Sequence, residues 1–220
     1  MIDRVFYINM DRSTDRRASI ERVIAEMGWS GIAERIPGVV WTGLIPKGFG
    51  FRNPPAEYGC AMSHTLALRR VVETGAKRAL ILEDDAVIVD KDHLQTLLAN
   101  LPEDGDIVHM DHVGRKRGQT RASDIWDAGY WWKKLARTGS AACYVVSARA
   151  AVVLVNRMDP SVPGKVFGGR EGTADHVLYR CLDLNTYDPK ASGMTQAEMT
   201  FQSTIRNSKH QRPIFGDGAV

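Results

Sequence analysis

Ala79-Leu80-Ile81-Leu82 is an unbroken apolar run of strand length, and it stops abruptly on Glu83-Asp84-Asp85. A strand that is apolar at every position has no solvent face, so it suits a parallel strand covered by helices on both sides. In open α/β sheets, ligands bind at the carboxyl ends of the strands. Three acids there repel one another, and a cation that neutralises them relieves the repulsion. Hard carboxylate oxygens suit Mg²⁺ or Mn²⁺. Glu83 and Asp85 are two apart and share one side of an extended chain, so both can face one site.

The flanking sequence fits that frame. Val5-Phe6-Tyr7-Ile8 predicts a buried strand. Ile20, Val23, Ile24 and Met27 form the face of a helix that Thr14 or Ser13 can cap and Gly28 can end. Residues 37–55 hold four prolines and predict a loop. A second helix starts near Pro55, with Tyr58, Ala61, Thr65, Leu68 and Val72 as its buried face and Gly75 as its C-cap. Asp92 is the expected cap of a third helix. Ile107 to Met110 and Ala141 to Val146 predict strands, Ala148 to Asn156 a helix behind Ser147, and Asp175 to Leu182 another. Residues 112–136 are basic and aromatic without a period, and beyond Pro189 no element is expected. Strands alternating with helices predict an α/β chain with a largely parallel sheet and right-handed crossovers.

Composition sets the outer bounds. With 220 residues, 44% hydrophobic and 25% charged, the chain is the size of one domain, and disorder, collagen and coiled coil are excluded. The net charge of +3 is well short of a nucleic-acid binder. The three cysteines, Cys60, Cys143 and Cys181, exclude CxxC sites and read as reduced thiols. The chain opens on a strand-like run without a leader pattern, and no apolar stretch reaches the ~20 residues of a bilayer span. The expected location is cytoplasmic, with peripheral contact at the inner membrane face through the basic stretches 115–121 and 133–137.

Neither GxGxxG nor GxxxxGK[ST] occurs. A cation held by acids at a strand end, with no phosphate loop, points to a diphosphate substrate. His109 and Asp111 share one face and His112 the other, which argues against a shared metal site. Trp126, Tyr130, Trp131 and Trp132 suit either stacking on a ligand or closing the core.

Asn9-Met10-Asp11-Arg12 with Arg16, then Glu57-Tyr58-Gly59-Cys60-Ala61-Met62-Ser63-His64, then Leu80 to Asp85 resemble glycosyltransferase family 25 in motif and order. Further on, Gly139 to Ser147, Asp175-His176, Gln196 and Ser203-Thr204-Ile205 are similar to that family's later segments. The resemblance runs over about residues 5–205. It implies a single GT-A-like α/β domain with a mainly parallel, mixed central sheet flanked by helices. A nucleotide-sugar half would span about 1–111, an acceptor half about 112–205 and a tail 206–220. The implied activity is metal-dependent, inverting transfer of a hexose, expected to be galactose, from a UDP-sugar to a saccharide or glycolipid such as lipooligosaccharide. The implied cofactor is Mn²⁺ or Mg²⁺, on Asp85 and Glu83. The donor would meet Asn9, Arg12, Arg16, Ser63, His64, Glu83 and Asp84. The acceptor base would come from Asp175, Asp111 or Glu57, with Asp175 the first choice. Two other functions compete, an idle nucleotide-sugar or glycan-binding module and a metal-dependent phosphohydrolase. The binding module would show no metal-dependent hydrolysis of any UDP-sugar, and the phosphohydrolase would need a second, dispersed set of acids or histidines for two metals, which the sequence does not offer.

Overall fold

The structure is a computed structural model. It describes residues 1–43, 54–111, 125–134, 141–158, 174, 178 and 183–196. Strands β1 (Arg4–Asn9), β2 (Ala33–Pro37), β3 (Arg78–Glu83), β5 (Ile107–His109), β6 (Ile125–Ala128), β7 (Trp131–Lys134), β8 (Cys143–Ser147) and β9 (Thr186–Pro189) form one sheet in the order β2-β1-β3-β8-β5-β9-β7-β6. A small antiparallel pair joins β4 (Ala86–Ile88) to β10 (Met194–Gln196). The helices are α1 (Thr14–Glu26), α2 (Pro54–Thr74), α3 (Lys91–Ala99) and α4 (Ala148–Met158). This is the expected α/β architecture, a mixed sheet flanked by helices.

Alternation along the strands builds two cores. On one face Phe6, Ile8, Ala79, Ile81, Tyr144 and Val146 pack against Ala61, Leu68 and Val71 of α2 and Ala150 and Leu154 of α4. On the other, Val5, Tyr7, Leu80, Leu82, Cys143 and Val145 pack against Ile20 and Ile24 of α1 and Leu94 and Leu97 of α3. Ala79 to Leu82 are fully buried, as their unbroken apolar run requires.

Strand direction is mainly common. The pairs β1–β2, β1–β3 and β5–β9 are parallel, while β8 runs against both β3 and β5, and β7 against both β9 and β6. Six of the eight strands therefore share one direction. The reversed β8 sits in the middle, which makes the mainly parallel sheet a mixed one, as expected.

Several local expectations are corrected. The cap of α3 is Asp90, whose side chain accepts from the His93 backbone N–H, so Asp92 lies in the first turn. Ser13 occupies the N-cap of α1 without a side-chain cap bond. Val72 of α2 is 44% exposed, and Val71 takes its place in the core. Strand β10 lies beyond Pro189, and β6 and β7 fall inside the stretch that showed no period. The expected helix from Asp175 to Leu182 lies, except for Leu178, outside the described residues.

Trp131 is buried and its indole N–H donates to the Asn100 carbonyl, so it closes the core, whereas Tyr130 stays exposed. The side chains of Trp126 and Trp132 lie outside the described residues. No described helix is long and apolar enough to cross a membrane.

Candidate functional site

β1, β2 and β3 are parallel neighbours, so Asn9, Pro37 and Glu83 end at one edge of the sheet. The chain after β2 turns over that edge, and α2 passes beside it. Between them lies a cleft of about 230 Å³. Seven expected donor-site residues line it: Asn9, Arg12, Arg16, Ser63, His64, Glu83 and Asp84. Met10, Val39, Trp41 and Cys60 complete much of the wall.

The Gly-Cys-x-x-Ser-His segment of α2 resolves into two pairs spaced one turn apart, because residues i and i+4 share a helix face. Gly59 and Ser63 hold the chain after β2. The Ser63 hydroxyl donates to the Gly59 carbonyl at 2.7 Å and accepts the Val39 backbone N–H at 2.8 Å. A Cβ on Gly59 would stand 2.5 Å from the Val39 carbonyl oxygen, so only glycine allows this approach. Trp41 then rests on Tyr58, with ring centroids 4.6 Å apart. Gly59→Ala is expected to cost about 1–3 kcal/mol through that clash and to open the Trp41 wall. Thermal melting together with Trp fluorescence checks this, and an unchanged melt with native emission refutes it.

Cys60 and His64 form the second pair, facing β3. His64 is fully buried. Its Nδ1 lies 3.1 Å from the Tyr144 hydroxyl and its Nε2 lies 3.2 Å from Glu83 Oε1. Cys60 Sγ is 4.0 Å from the same oxygen. Ser63 and His64 thus have different work despite being adjacent, one holding a loop and the other holding Glu83.

The acid cluster divides in the same way. Asp84, buried, accepts from Asn9 Nδ2 at 2.7 Å and from Arg16 Nη1 at 2.8 Å. Arg16 Nη1 is also 3.8 Å from Asp85 Oδ2. Asn9 is fixed further by Arg35, whose Nε donates to Asn9 Oδ1 at 3.1 Å and whose Nη2 donates to the Asn9 carbonyl at 2.9 Å. The neutralisation that three neighbouring acids demand is therefore supplied to Asp84 and Asp85 by a guanidinium of α1. Arg12 differs. It is exposed on the cleft wall, and its one hydrogen bond within the described residues is a 3.8 Å contact from Nη2 to Met10 Sδ.

Of the acid cluster, Glu83 and Asp84 line the cleft and are compatible with a divalent cation, whereas Asp85, expected to share one extended face with Glu83, lies in the turn after β3 and does not line it. Among the described residues one other set has metal-ligand character: Cys60, His64 and Glu83, whose ligand atoms lie within 4.8 Å of one another.

The expected base residues are scattered. Asp111 follows β5 and accepts from the Ser192 hydroxyl at 3.0 Å and the Thr195 hydroxyl at 3.3 Å. Glu57 stands in the first turn of α2, where an anion suits the helix dipole, and does not line the cleft. Asp175 lies outside the described residues. His109 is buried beside the Tyr144 ring, centroids 6.3 Å apart, while Met110 belongs to the opposite core.

Cys143 reports on the field near these acids. Burial first, then the charges of Asp111, Glu83 and Asp85, push its thiol well above the ordinary range. The folded chain keeps this proton to higher pH than the unfolded chain. The thiol's contribution is therefore complete below about pH 8.5 and is lost as pH rises from there towards the raised folded value. Alkylation at pH 8.5 is expected to label the half-buried Cys60 and to spare Cys143 until denaturant is added. Peptide mapping reads this, and early labelling of Cys143 contradicts it.

Sequence reasoning missed Trp41, Gly59, Cys60 and Arg35 as parts of the site. Only the Gly-Cys-x-x-Ser-His spacing signalled two of them.

Residues 55–162 match the family model for glycosyltransferase family 25 (LPS biosynthesis protein). Procollagen galactosyltransferase 2 of Mus musculus is 28% identical over 137 residues, covering 54% of this chain and 22% of the relative. Its Homo sapiens counterpart is 27% identical over 135 residues, with the same coverage. This chain thus spans about a fifth of the length of those relatives. The solved structure of A197 from STIV aligns with 87% of this chain and 83% of its own at 13% identity, with a TM-score of 0.47.

Proposed function

On the premise that this chain belongs to glycosyltransferase family 25 through residues 55–162, we propose that it is an inverting, metal-dependent hexosyltransferase. The donor is a UDP-sugar, with galactose as the sugar, and the acceptor is a saccharide or glycolipid such as lipooligosaccharide. One observation carries the reading above the others: the cleft at the carboxyl edge of β1, β2 and β3, where residues from three separate sequence motifs meet.

Each residue has a role in this reading. Asn9, fixed on both sides by Asp84 and Arg35, presents a rigid floor for the nucleoside. Trp41, backed by Tyr58, offers a face for the base. Arg12 is the guanidinium left to meet the diphosphate, since Arg16 is engaged by Asp84. Ser63 keeps the wall in place and His64 keeps Glu83 oriented. Asp85 and Glu83 would hold Mn²⁺ or Mg²⁺, which supplies charge neutralisation to the leaving diphosphate. Asp175, Asp111 or Glu57 takes the acceptor proton as the hydroxyl attacks. Residues 1–111 then form the donor half, residues 112–205 the acceptor half and residues 206–220 a tail of one domain. The proposed location is the cytoplasm, with peripheral contact at the inner membrane face, in keeping with cysteines held as reduced thiols.

The test is a panel of UDP-, GDP- and CMP-sugars screened for binding and slow hydrolysis with Mn²⁺. UDP-galactose is expected to bind and hydrolyse, and chelation to stop both. Binding without any metal-dependent turnover favours an idle binding module. No binding of any sugar nucleotide overturns the reading.

A further inference from the structure

We propose that Cys60, His64 and Glu83 form a binding site for a borderline-soft divalent ion of the Zn²⁺ class, with its fourth coordination position open to the cleft. The argument starts from donor chemistry. A thiolate, an imidazole nitrogen and one carboxylate oxygen favour Zn²⁺ over Mn²⁺ or Mg²⁺, which take oxygen ligands. With metal–ligand bonds of about 2.0–2.3 Å, a tetrahedral site places its nitrogen and oxygen about 3.4 Å apart and its sulfur and oxygen about 3.6 Å apart. The observed separations are 3.2 Å for His64 Nε2 to Glu83 Oε1 and 4.0 Å for Cys60 Sγ to the same oxygen. All three ligand atoms lie within 4.8 Å of one another, so closing the tetrahedron requires the Cys60 side chain to swing inwards, by up to about an ångström, towards the other two.

The support around the ligands is of the kind metal sites use. Cys60 and His64 lie one turn apart on α2, and Glu83 ends β3, so all three stand on regular elements. A ligating histidine is oriented through its second nitrogen. Here His64 Nδ1 meets the Tyr144 hydroxyl at 3.1 Å, which turns Nε2 towards Glu83. His64 is fully buried, whereas Cys60 and Glu83 are partly exposed, and all three border the cleft, so an ion has a way in and a fourth ligand has room. On binding, the Cys60 thiol gives its proton to solvent. Glu83 is shared with the donor cation of the preceding section, so Zn²⁺ here inhibits transfer. That consequence rests on the transferase reading, and the site itself does not.

The test uses the metal alone and no sugar nucleotide. The reduced, chelator-treated full chain is titrated with Co²⁺ and then Zn²⁺, following thiolate-to-cobalt charge-transfer absorption. One equivalent is expected to produce the band and Zn²⁺ to bleach it. Cys60→Ser is expected to abolish the band and weaken Zn²⁺ binding at least about a hundred-fold. Tyr144→Phe, which removes the hydroxyl that meets His64 Nδ1, is expected to weaken binding about 10–100-fold. Cys181→Ser is expected to leave the band unchanged. Absence of the band from the wild-type chain at one equivalent overturns the site, as does its persistence in Cys60→Ser. The wild-type titration decides the matter even where the buried His64→Gln variant fails to fold.

Discussion

Asp84→Ala is expected to destabilise the chain by about 3–5 kcal/mol, the usual range for removing one partner of a buried ion pair. The carboxylate receives hydrogen bonds from Asn9 at 2.7 Å and Arg16 at 2.8 Å, and it ties the end of β1 and the start of α1 to the turn after β3. Its loss leaves the Arg16 guanidinium, only 13% exposed, without that partner, and strands an amide N–H of Asn9. At roughly 2–4 °C per kcal/mol for a chain of this size, the melting temperature falls by roughly 6–20 °C. The same change at Asp85, whose contact with Arg16 is 3.8 Å, removes a smaller share of the Arg16 pairing. A double-mutant cycle with Arg16→Met isolates the pair, since contacting residues couple. Equal melts for Asp84→Ala and Asp85→Ala would show that Asp84 is not the anchor.

That anchor also shows what a sequence can and cannot reveal. The apolar run of β3 and the acids behind it were legible because burial on both faces leaves no polar position in the run. β2 was not, because Ala33-Glu34-Arg35-Ile36-Pro37 is a polar edge strand. Glu34 takes Arg70 of α2, and Arg35 takes Asn9 and Asp11. Its pattern records partners rather than a face. The reversal of β8 was equally hidden, since strand direction is set by chain return and not by local composition. At Asp90 and Asp92 either residue can cap, and the choice falls to whichever one adopts the extended backbone, here Asp90 with φ −147°.

The site itself was half legible. The three motifs were visible, and they do meet at one cleft. Their division of labour was not, because it depends on which helix face each residue occupies. His64 stands beside Ser63 in sequence, yet the two contact different elements. A metal is not the sole cation that can relieve an acid cluster. Arg16, almost seventy residues earlier, was already available to two of the three acids.

Asp111→Asn is expected to slow sugar transfer by about 10²–10⁴-fold while leaving UDP binding with Mn²⁺ nearly unchanged. Asparagine keeps the size of the side chain and one acceptor oxygen, so it can still take a hydrogen bond from Ser192 or Thr195. What it loses is the ability to accept a proton. The charge of Asp111, with those of Glu83 and Asp85, acts on Cys143, so it stands on the acid-cluster side of the sheet. Glu57→Gln, at a helix start away from the cleft, is expected to change the rate less than tenfold. Asp175→Asn is the decisive comparison. If it alone shows the large loss with intact UDP binding, the base role passes to Asp175 and Asp111 is a tie between β5 and the β10 segment. A tie alone would lower the melting temperature of Asp111→Ala without a matching loss of rate in Asp111→Asn. If Asp111→Asn instead abolishes UDP binding, its carboxylate belongs with Glu83 and Asp85 on the donor side, and no proton passes through it.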